Sequence, residues 1–274
     1  MTVITMTREM GSLGKDVAAG LADDLGLEVI HHEHVEHDVA ARMSLRESDV
    51  HRFLEGTPSL LERWKVGKAA LCRCTAEEIF ALAAKGDVII RGWGATALLR
   101  RVPHVLRVRV CAPMPFRVDV MQKRLGLDDP DVARREIRRN DAAHTRIVRG
   151  MSNADWEGPL NYDLVLNTER VPIAQCVRQV RALAESGAFD ESEGSRRILA
   201  DLATEARLHA AVADNRELGR LVGNLDITVE DGVARVRGVV HDRERAAKLC
   251  RALETVPGVR SVEDRLVVPG AYAG

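Results

Sequence analysis

The stretch Thr7-Arg8-Glu9-Met10-Gly11-Ser12-Leu13-Gly14-Lys15-Asp16 lies between a short β-rich run, Val3 to Met6, and a helical one. In the helical run Val17, Leu21 and Leu25 recur at helical spacing and Gly26 supplies the stop. A strand that turns through glycines into a helix presents successive N–H groups and a positive helix terminus to one point, and a lysine there reaches the outer oxygens of a phosphate chain. Gly14-Lys15 has the ending of the G-x-x-x-x-G-K-[ST] pattern, but Glu9 stands at its first glycine and Asp16 at its Ser/Thr. Two readings stay open from these residues alone. Gly11, Ser12, Leu13, Gly14, Lys15 and Asp16 form either a phosphate cradle or a structural glycine turn. Asp16 is either a carboxylate that faces Mg²⁺, directly or through water, or a first-turn acid favoured by the helix dipole.

Outward from this loop, short β-rich runs alternate with helical ones, the pattern of parallel strands joined by helical crossovers and hence of an α/β fold. Further strands are expected at Leu27 to Ile30, Asp87 to Ile90, Leu106 to Val110 and Tyr162 to Leu166. Ser44 with Glu47, and Thr75 with Glu78, match capping boxes and predict helix starts. Asp129-Pro130 predicts another, running through about Arg149, and a helix at about Ile173 to Ala184 closes the unit. Arg91 falls at the carboxyl end of its strand, where such sheets bind ligands.

The chain has 274 residues, 46% of them hydrophobic, which is enough for two cores. From Glu185 to Arg196 the sequence turns polar and small. The boundary is placed there, giving a first domain at 1–186, a linker at 187–196 and a second domain at 197–270. The second domain reads αββαβ: a helix near Ile198 to Ala213, a hairpin turning at Asp231-Gly232, a helix from His241 to Thr255, and an alternating strand within Val259 to Val268.

The 40 basic and 41 acidic residues nearly cancel, so no global field draws the chain to nucleic acid or to an anionic membrane. Trp64, Trp93 and Trp156 are too scattered for a base-stacking platform, and no nucleic-acid partner is expected. Five cysteines without C-x-x-C spacing, and no apolar run of membrane-spanning length, lead to the expectation of reduced thiols and a cytoplasmic protein.

Thr-Arg-Glu-x-Gly-Ser-x-Gly-Lys-Asp resembles the loop of the cytidylate kinase-like family, which commonly shows Ser-Arg-Glu-x-Gly-Ser-Gly-Gly-Arg. The resemblance continues through Val88 to Gly92, Leu106 to Phe116, and most specifically Trp156 to Thr168. It spans roughly Val3 to Leu183. It implies a P-loop kinase with a central parallel sheet and flanking helices, a monophosphate-binding insert between about His31 and Lys85, a lid at about Leu127 to Trp156, and ATP with Mg²⁺ as cosubstrate and cofactor. The lid is rich in guanidinium groups: Arg134, Arg135, Arg138, Arg139, Arg146 and Arg149. Some belong to a solvated face and two or three to phosphate, where they neutralise the dispersed charge of phosphoryl transfer. Lys15, Arg138, Arg139, Asp141 and Arg146 are the expected catalytic set, and His31, His32 and Arg91 the expected acceptor contacts.

The chain departs from the resembled pattern at His144, where a lid arginine is usual, and near His32, where an aspartate is usual. His31, His32, His34 and His37 lack the cysteines of a zinc site, and metal binding is the minor reading. The C-terminal segments Ile227 to Val240 and Val256 to Val262 resemble a BON domain, which implies a regulatory or docking module for phospholipid or a small ligand. Two functions follow as expectations. One is ATP-dependent phosphoryl transfer to a nucleoside monophosphate (CMP-like) or related small acceptor. The other is a catalytically weak nucleotide sensor that controls what the BON-like module binds. Oligomeric state is not legible.

Overall fold

The computed structural model describes residues 1–54, 68–92, 94–152 and 154–269, with the side chains of residues 32–34, 52–54, 68, 69, 216 and 221 outside the description. The chain divides into two compact units, Met1–Gly67 with Lys85–Ser192, and Lys68–Ala84 with Glu193–Gly274. The expected boundary at 187–196 falls around this division, but the helix read as starting near Ile198 already begins at Glu193.

The first unit runs β1 (Val3–Arg8), α1 (Gly14–Leu25), β2 (Glu28–Ile30), α2 (His32–Met43), α3 (Glu47–Leu54), β3 (Val88–Arg91), a short α5 (Ala95–Leu98), β4 (Val105–Cys111), α6 (Met114–Leu125), α7 (Pro130–Ser152), β5 (Leu164–Asn167) and α8 (Ile173–Ala184). Between α3 and β3 lies α4 (Lys68–Lys85), most of which belongs to the second unit. The sheet order is β2-β3-β1-β4-β5, all parallel, with Val3 of β1 opposite Val88 on one side and Val105 on the other. Because the chain leaves the central strand toward β2 and returns to the other side through β4, the loop after β1 sits at a topological switch point.

Apolar strand residues fix this architecture. Ile4, Met6, Ile89, Leu106, Val108 and Val110 meet Val17, Ala18 and Leu21 of α1 and Cys176, Val177 and Val180 of α8 in one buried cluster. Each fully buried aliphatic side chain there contributes roughly 1.5–3 kcal/mol. Asp129 caps α7 as expected, its Oδ1 accepting from the Asp131 N–H at 2.8 Å.

Three local expectations are corrected. Ser44 does not open a helix; it closes α2 in the left-handed region at φ 53°, and the helix that follows starts at Glu47. Thr75 lies inside α4, where its hydroxyl donates to the Leu71 carbonyl at 2.9 Å, so the i−4 bond replaces a cap. β5 starts at Leu164 rather than Tyr162, because Asp163 turns its carboxylate onto the N–H and guanidinium of Arg107, at 2.7–3.0 Å.

The second unit contains α9 (Glu193–Asp214), α10 (Arg216–Leu221), β6 (Val222–Glu230), β7 (Val233–Val240), α11 (Arg243–Glu254) and β8 (Ser261–Val267). β6 and β7 form the expected antiparallel hairpin and β8 joins β7 in parallel. Leu208 and Val212 of α9 and Ala246, Leu249 and Leu253 of α11 cover the apolar face set by Ile227, Val229, Ala234 and Val236. The Asp201 carboxylate accepts from the N–H groups of Asp231 and Gly232, at 2.7 and 2.9 Å, and pins the hairpin turn to α9. This is the αββαβ order with one extra short helix.

Candidate active site

The turn from β1 into α1 is held by its own groups and by β4. Gly11 has φ +82°, and a Cβ there would lie 2.7 Å from the Arg117 carbonyl oxygen, so only glycine fits. Ser12 donates its hydroxyl to the carbonyls of Glu9 (2.8 Å) and Val110 (3.0 Å) and its N–H to Glu9 (3.2 Å), so its polar groups shape the loop. Thr168 bonds the Ser12 carbonyl at 2.7 Å from the end of β5. Leu13, where the resembled loop shows glycine, is held in the left-handed region at φ 59°. The N–H groups of Gly11, Leu13 and Gly14 have no acceptor among the described residues, and they cluster at the positive end of a 12-residue helix. That is an anion cradle, with Lys15 exposed beside it.

Glu9, at the position of the missing first glycine, organises the surroundings. Its carboxylate pairs with Arg109 at 2.8 Å, lies 3.5 Å from Arg117 Nε, and accepts the Ala112 N–H at 3.2 Å. Arg117 continues to Asp141 at 2.6 Å, and Asp141 accepts the Met10 N–H at 3.3 Å. The loop is thereby tied to α6 through Arg117 and to α7 through Asp141. Asp141, expected among the catalytic residues, lies between Arg117 and the loop backbone.

Arg109 also donates to the Trp156 carbonyl at 2.8 Å, and its guanidinium lies 4.4 Å over the Trp156 ring. Trp156 is buried and donates its indole N–H to Thr7 Oγ1 at 2.7 Å, while the Tyr162 hydroxyl donates to the Trp156 carbonyl at 2.6 Å. Burial pushes the Tyr162 hydroxyl up from its ordinary value, against the opposing pull of Arg109. His144 stacks on Trp156 with ring centroids 5.4 Å apart and bonds the Asn140 carbonyl through Nδ1, which fixes the proton on that nitrogen. Thr7, His144, Trp156 and Tyr162, with Gly92, Gly94 and Thr96, line a pocket.

At the end of β3, the guanidinium of buried Arg91 donates to His31 Nδ1 at 3.0 Å. A guanidinium is only a donor, so His31 accepts at Nδ1 and carries its proton on Nε2. The structure thus brings the expected pair His31 and Arg91 together; the His32 and His34 side chains, Trp64 and Trp93 lie outside the described residues. His37 pairs with Glu47 at 2.7 Å and His51 with Glu36 at 2.9 Å, so these two histidines join α2 to α3. Arg138, Arg139 and Arg146 stand exposed on α7. Asp16 pairs with Arg124 at 3.2 Å across the mouth of the loop. Among the described residues no three metal-binding side chains cluster; Asp16, in the first turn of α1, is the carboxylate that could share a divalent ion with bound phosphate.

Sequence reading passed over Arg8, Glu9, Arg109, Arg117 and Trp156 as site residues. The signal for the first two was their place inside the motif. Arg109 and Arg117 look like an ordinary strand residue and an ordinary helix residue until the fold joins them to Glu9.

A parallel sheet of this order, with a glycine-containing anion cradle between its central strand and a helix and an arginine-rich helix beside it, defines the class as a P-loop kinase. The profile of the cytidylate kinase-like family matches residues 3–170, and the chain belongs to that family. The BON domain profile matches residues 200–270. The cytidylate kinase of Pyrobaculum aerophilum is 25% identical over 181 residues, 65% of this chain and 90% of that protein. The cytidylate kinase of Pyrobaculum neutrophilum is 24% identical over the same shares. A solved structure of an uncharacterized protein from Eubacterium ventriosum superposes with a TM-score of 0.52 at 15% identity, covering 68% of this chain and 99% of that one, a likeness of fold. The protein is a nucleotide-kinase-like phosphotransferase. Among its described residues no helix is long and apolar enough to cross a membrane.

Proposed function

We propose that the first unit transfers the γ-phosphoryl group of ATP to a nucleoside monophosphate, CMP-like, or a related small phosphorylated acceptor. The observation that carries this reading is the cradle of N–H groups at Gly11, Leu13 and Gly14, beside Lys15 and after β1, the strand that pairs with the strand ending in Arg91. The cradle and Lys15 hold the donor phosphates, and Arg91 with His31 orients the acceptor. An acceptor oxygen attacks the γ-phosphorus, the bond from phosphorus to the β-bridging oxygen breaks, and ADP leaves with that electron pair. Asp16, once released from Arg124, would hold Mg²⁺ together with the phosphates, and the ion would supply charge neutralisation. Arg138, Arg139 and Arg146, exposed on α7, close over the phosphates as the lid moves.

The test is ADP release from ATP and Mg²⁺ across a panel of nucleoside monophosphates and nucleosides, with Lys15→Ala beside the intact protein. Lysine-dependent turnover with one acceptor is the expected outcome; ATP binding unchanged in Lys15→Ala would remove the loop assignment.

A second reading is a nucleotide sensor that turns over weakly and controls ligand or lipid binding by the BON-like module. His144 in place of a lid arginine and the left-handed Leu13 favour it. Calorimetry giving tight ATP binding, with silence across the acceptor panel, would select it. In either reading residues 1–186 act as the kinase domain and 197–270 as a docking module, whose lipid affinity is read by co-sedimentation of the full chain with anionic and neutral liposomes.

A further inference from the structure

Arg8 is the last residue of β1 and the second of the motif, and no hydrogen bond or ion pair holds its guanidinium among the described residues. Its stem runs against the start of α1. A Cβ placed on Gly14 would lie 2.7 Å from Arg8 Cβ and 3.1 Å from Cδ, so Gly14 makes the space through which Arg8 passes under the cradle. Two other guanidinium groups act on it, Arg91 from β3 and Arg124 from α6. The two carboxylates that act on it are already engaged, Asp141 by Arg117 at 2.6 Å and Asp16 by Arg124 at 3.2 Å.

The Arg8 side chain therefore lies against Gly14, a member of the unsatisfied N–H set, and is acted on by two further cations from two other elements. Burial, then Arg91 and Arg124, push the Arg8 guanidinium down to about 10. A desolvated cation whose nearby carboxylates are both shared with other arginines lowers stability, and such a cation at a glycine turn marks a candidate anion contact. We infer that Arg8 is a phosphate-contacting residue of the transfer site, neutralising the outer end of the phosphate chain together with Arg91 and Arg124. This rests on the kinase reading only for which phosphate it meets.

The experiment uses the full chain with inorganic tripolyphosphate as probe and compares Arg8→Met and Arg8→Lys with the parent by calorimetry, thermal unfolding and the acceptor panel. Arg8→Met should weaken tripolyphosphate at least tenfold and leave the unliganded melting temperature equal or higher, because it removes a repelled cation. Arg8→Lys should recover part of the affinity, having charge without the planar fork. A purely structural arginine gives the opposite pattern, a lower melting temperature with affinity within twofold, and that result overturns the inference. Should Arg8→Met not fold, the ¹⁵Nε signal of Arg8 in the parent protein decides: a shift on saturation with tripolyphosphate supports the contact, an unmoved signal overturns it. Weakened tripolyphosphate binding with no turnover on any acceptor keeps Arg8 and removes the kinase reading; turnover that ignores Arg8 does the reverse.

Discussion

Arg117 and Asp141 meet at 2.6 Å, and through this pair a helix of the lid region holds the backbone of the phosphate loop, since Asp141 also accepts the Met10 N–H. Removing the carboxylate leaves the buried Arg117 with Glu9 and the Met10 carbonyl, at 3.5 and 3.4 Å, and takes away the acceptor of the Met10 N–H. Asp141→Ala should lose roughly 2–3 kcal/mol of stability, the range for a charge-assisted bond whose partner stays buried. Asp141→Asn should lose less, because its amide oxygen can still accept. Denaturant unfolding measures both. Equal midpoints for Asp141→Ala and the parent would show that the pair does not support the loop.

Arg109 serves four groups at once: Glu9, the Trp156 carbonyl and the rings of Trp156 and Tyr162. Lysine keeps the charge but cannot fork between a carboxylate and a carbonyl while stacking on indole. Arg109→Lys should therefore cost about 2 kcal/mol, and Arg109→Met about 3–5 kcal/mol by leaving Glu9 with its remaining partners in a poorly solvated place. A quenched-fluorescence assay of Trp156 should show water reaching the indole in both variants. Unchanged quenching would place the strength of the cluster elsewhere.

Much of the fold was legible because its cause is local. Val3 to Met6, Asp87 to Ile90 and Leu106 to Val110 are runs of residues with nowhere to go but a doubly covered sheet, and Gly26 and Asp129 mark helix ends by their own chemistry. The turn from strand into helix at Gly11 to Lys15 was legible for the same reason. The ion-pair web was not, since Glu9 finds Arg109 100 positions away and Arg117 only through the order of the strands. Sequence shows Asp141 as a carboxylate in an arginine-rich helix but not that Arg117, 24 positions earlier, holds it. Ser44 and Thr75 misled because the capping-box pattern fits any Ser/Thr three residues before a Glu, and i−4 bonding or a left-handed close uses the same hydroxyl residues.

Leu13 carries a backbone conformation that costs a residue with a Cβ about 1–2 kcal/mol. Replacing leucine by alanine keeps that cost, while glycine removes it at the expense of a more flexible unfolded chain. Leu13→Gly should be more stable than Leu13→Ala by about 1 kcal/mol, the reverse of the usual order inside or beside a helix. Thermal unfolding of the two variants side by side is the measurement. Alanine the more stable would show that the loop relaxes out of the left-handed region.

The pairing of His37 with Glu47 gives the α2–α3 segment a pH dependence with a definite sign. The Glu47 hydrogen bond, then its charge, raises the exposed His37 imidazole above its ordinary value. A group whose folded value is raised binds its proton more tightly in the folded protein, so the contribution is fully present below the unfolded value near 6.5 and is lost as pH rises through the higher folded one. The melting-temperature difference between the parent and His37→Gln should therefore be larger at pH 6 than at pH 8, and small throughout because both partners face solvent. High salt should shrink it further. If the difference stays the same from pH 6 to pH 8 while the imidazole titrates at its ordinary value, the pair contributes nothing to holding α3 against α2, and the task falls to His51 and Glu36, whose carboxylate is buried.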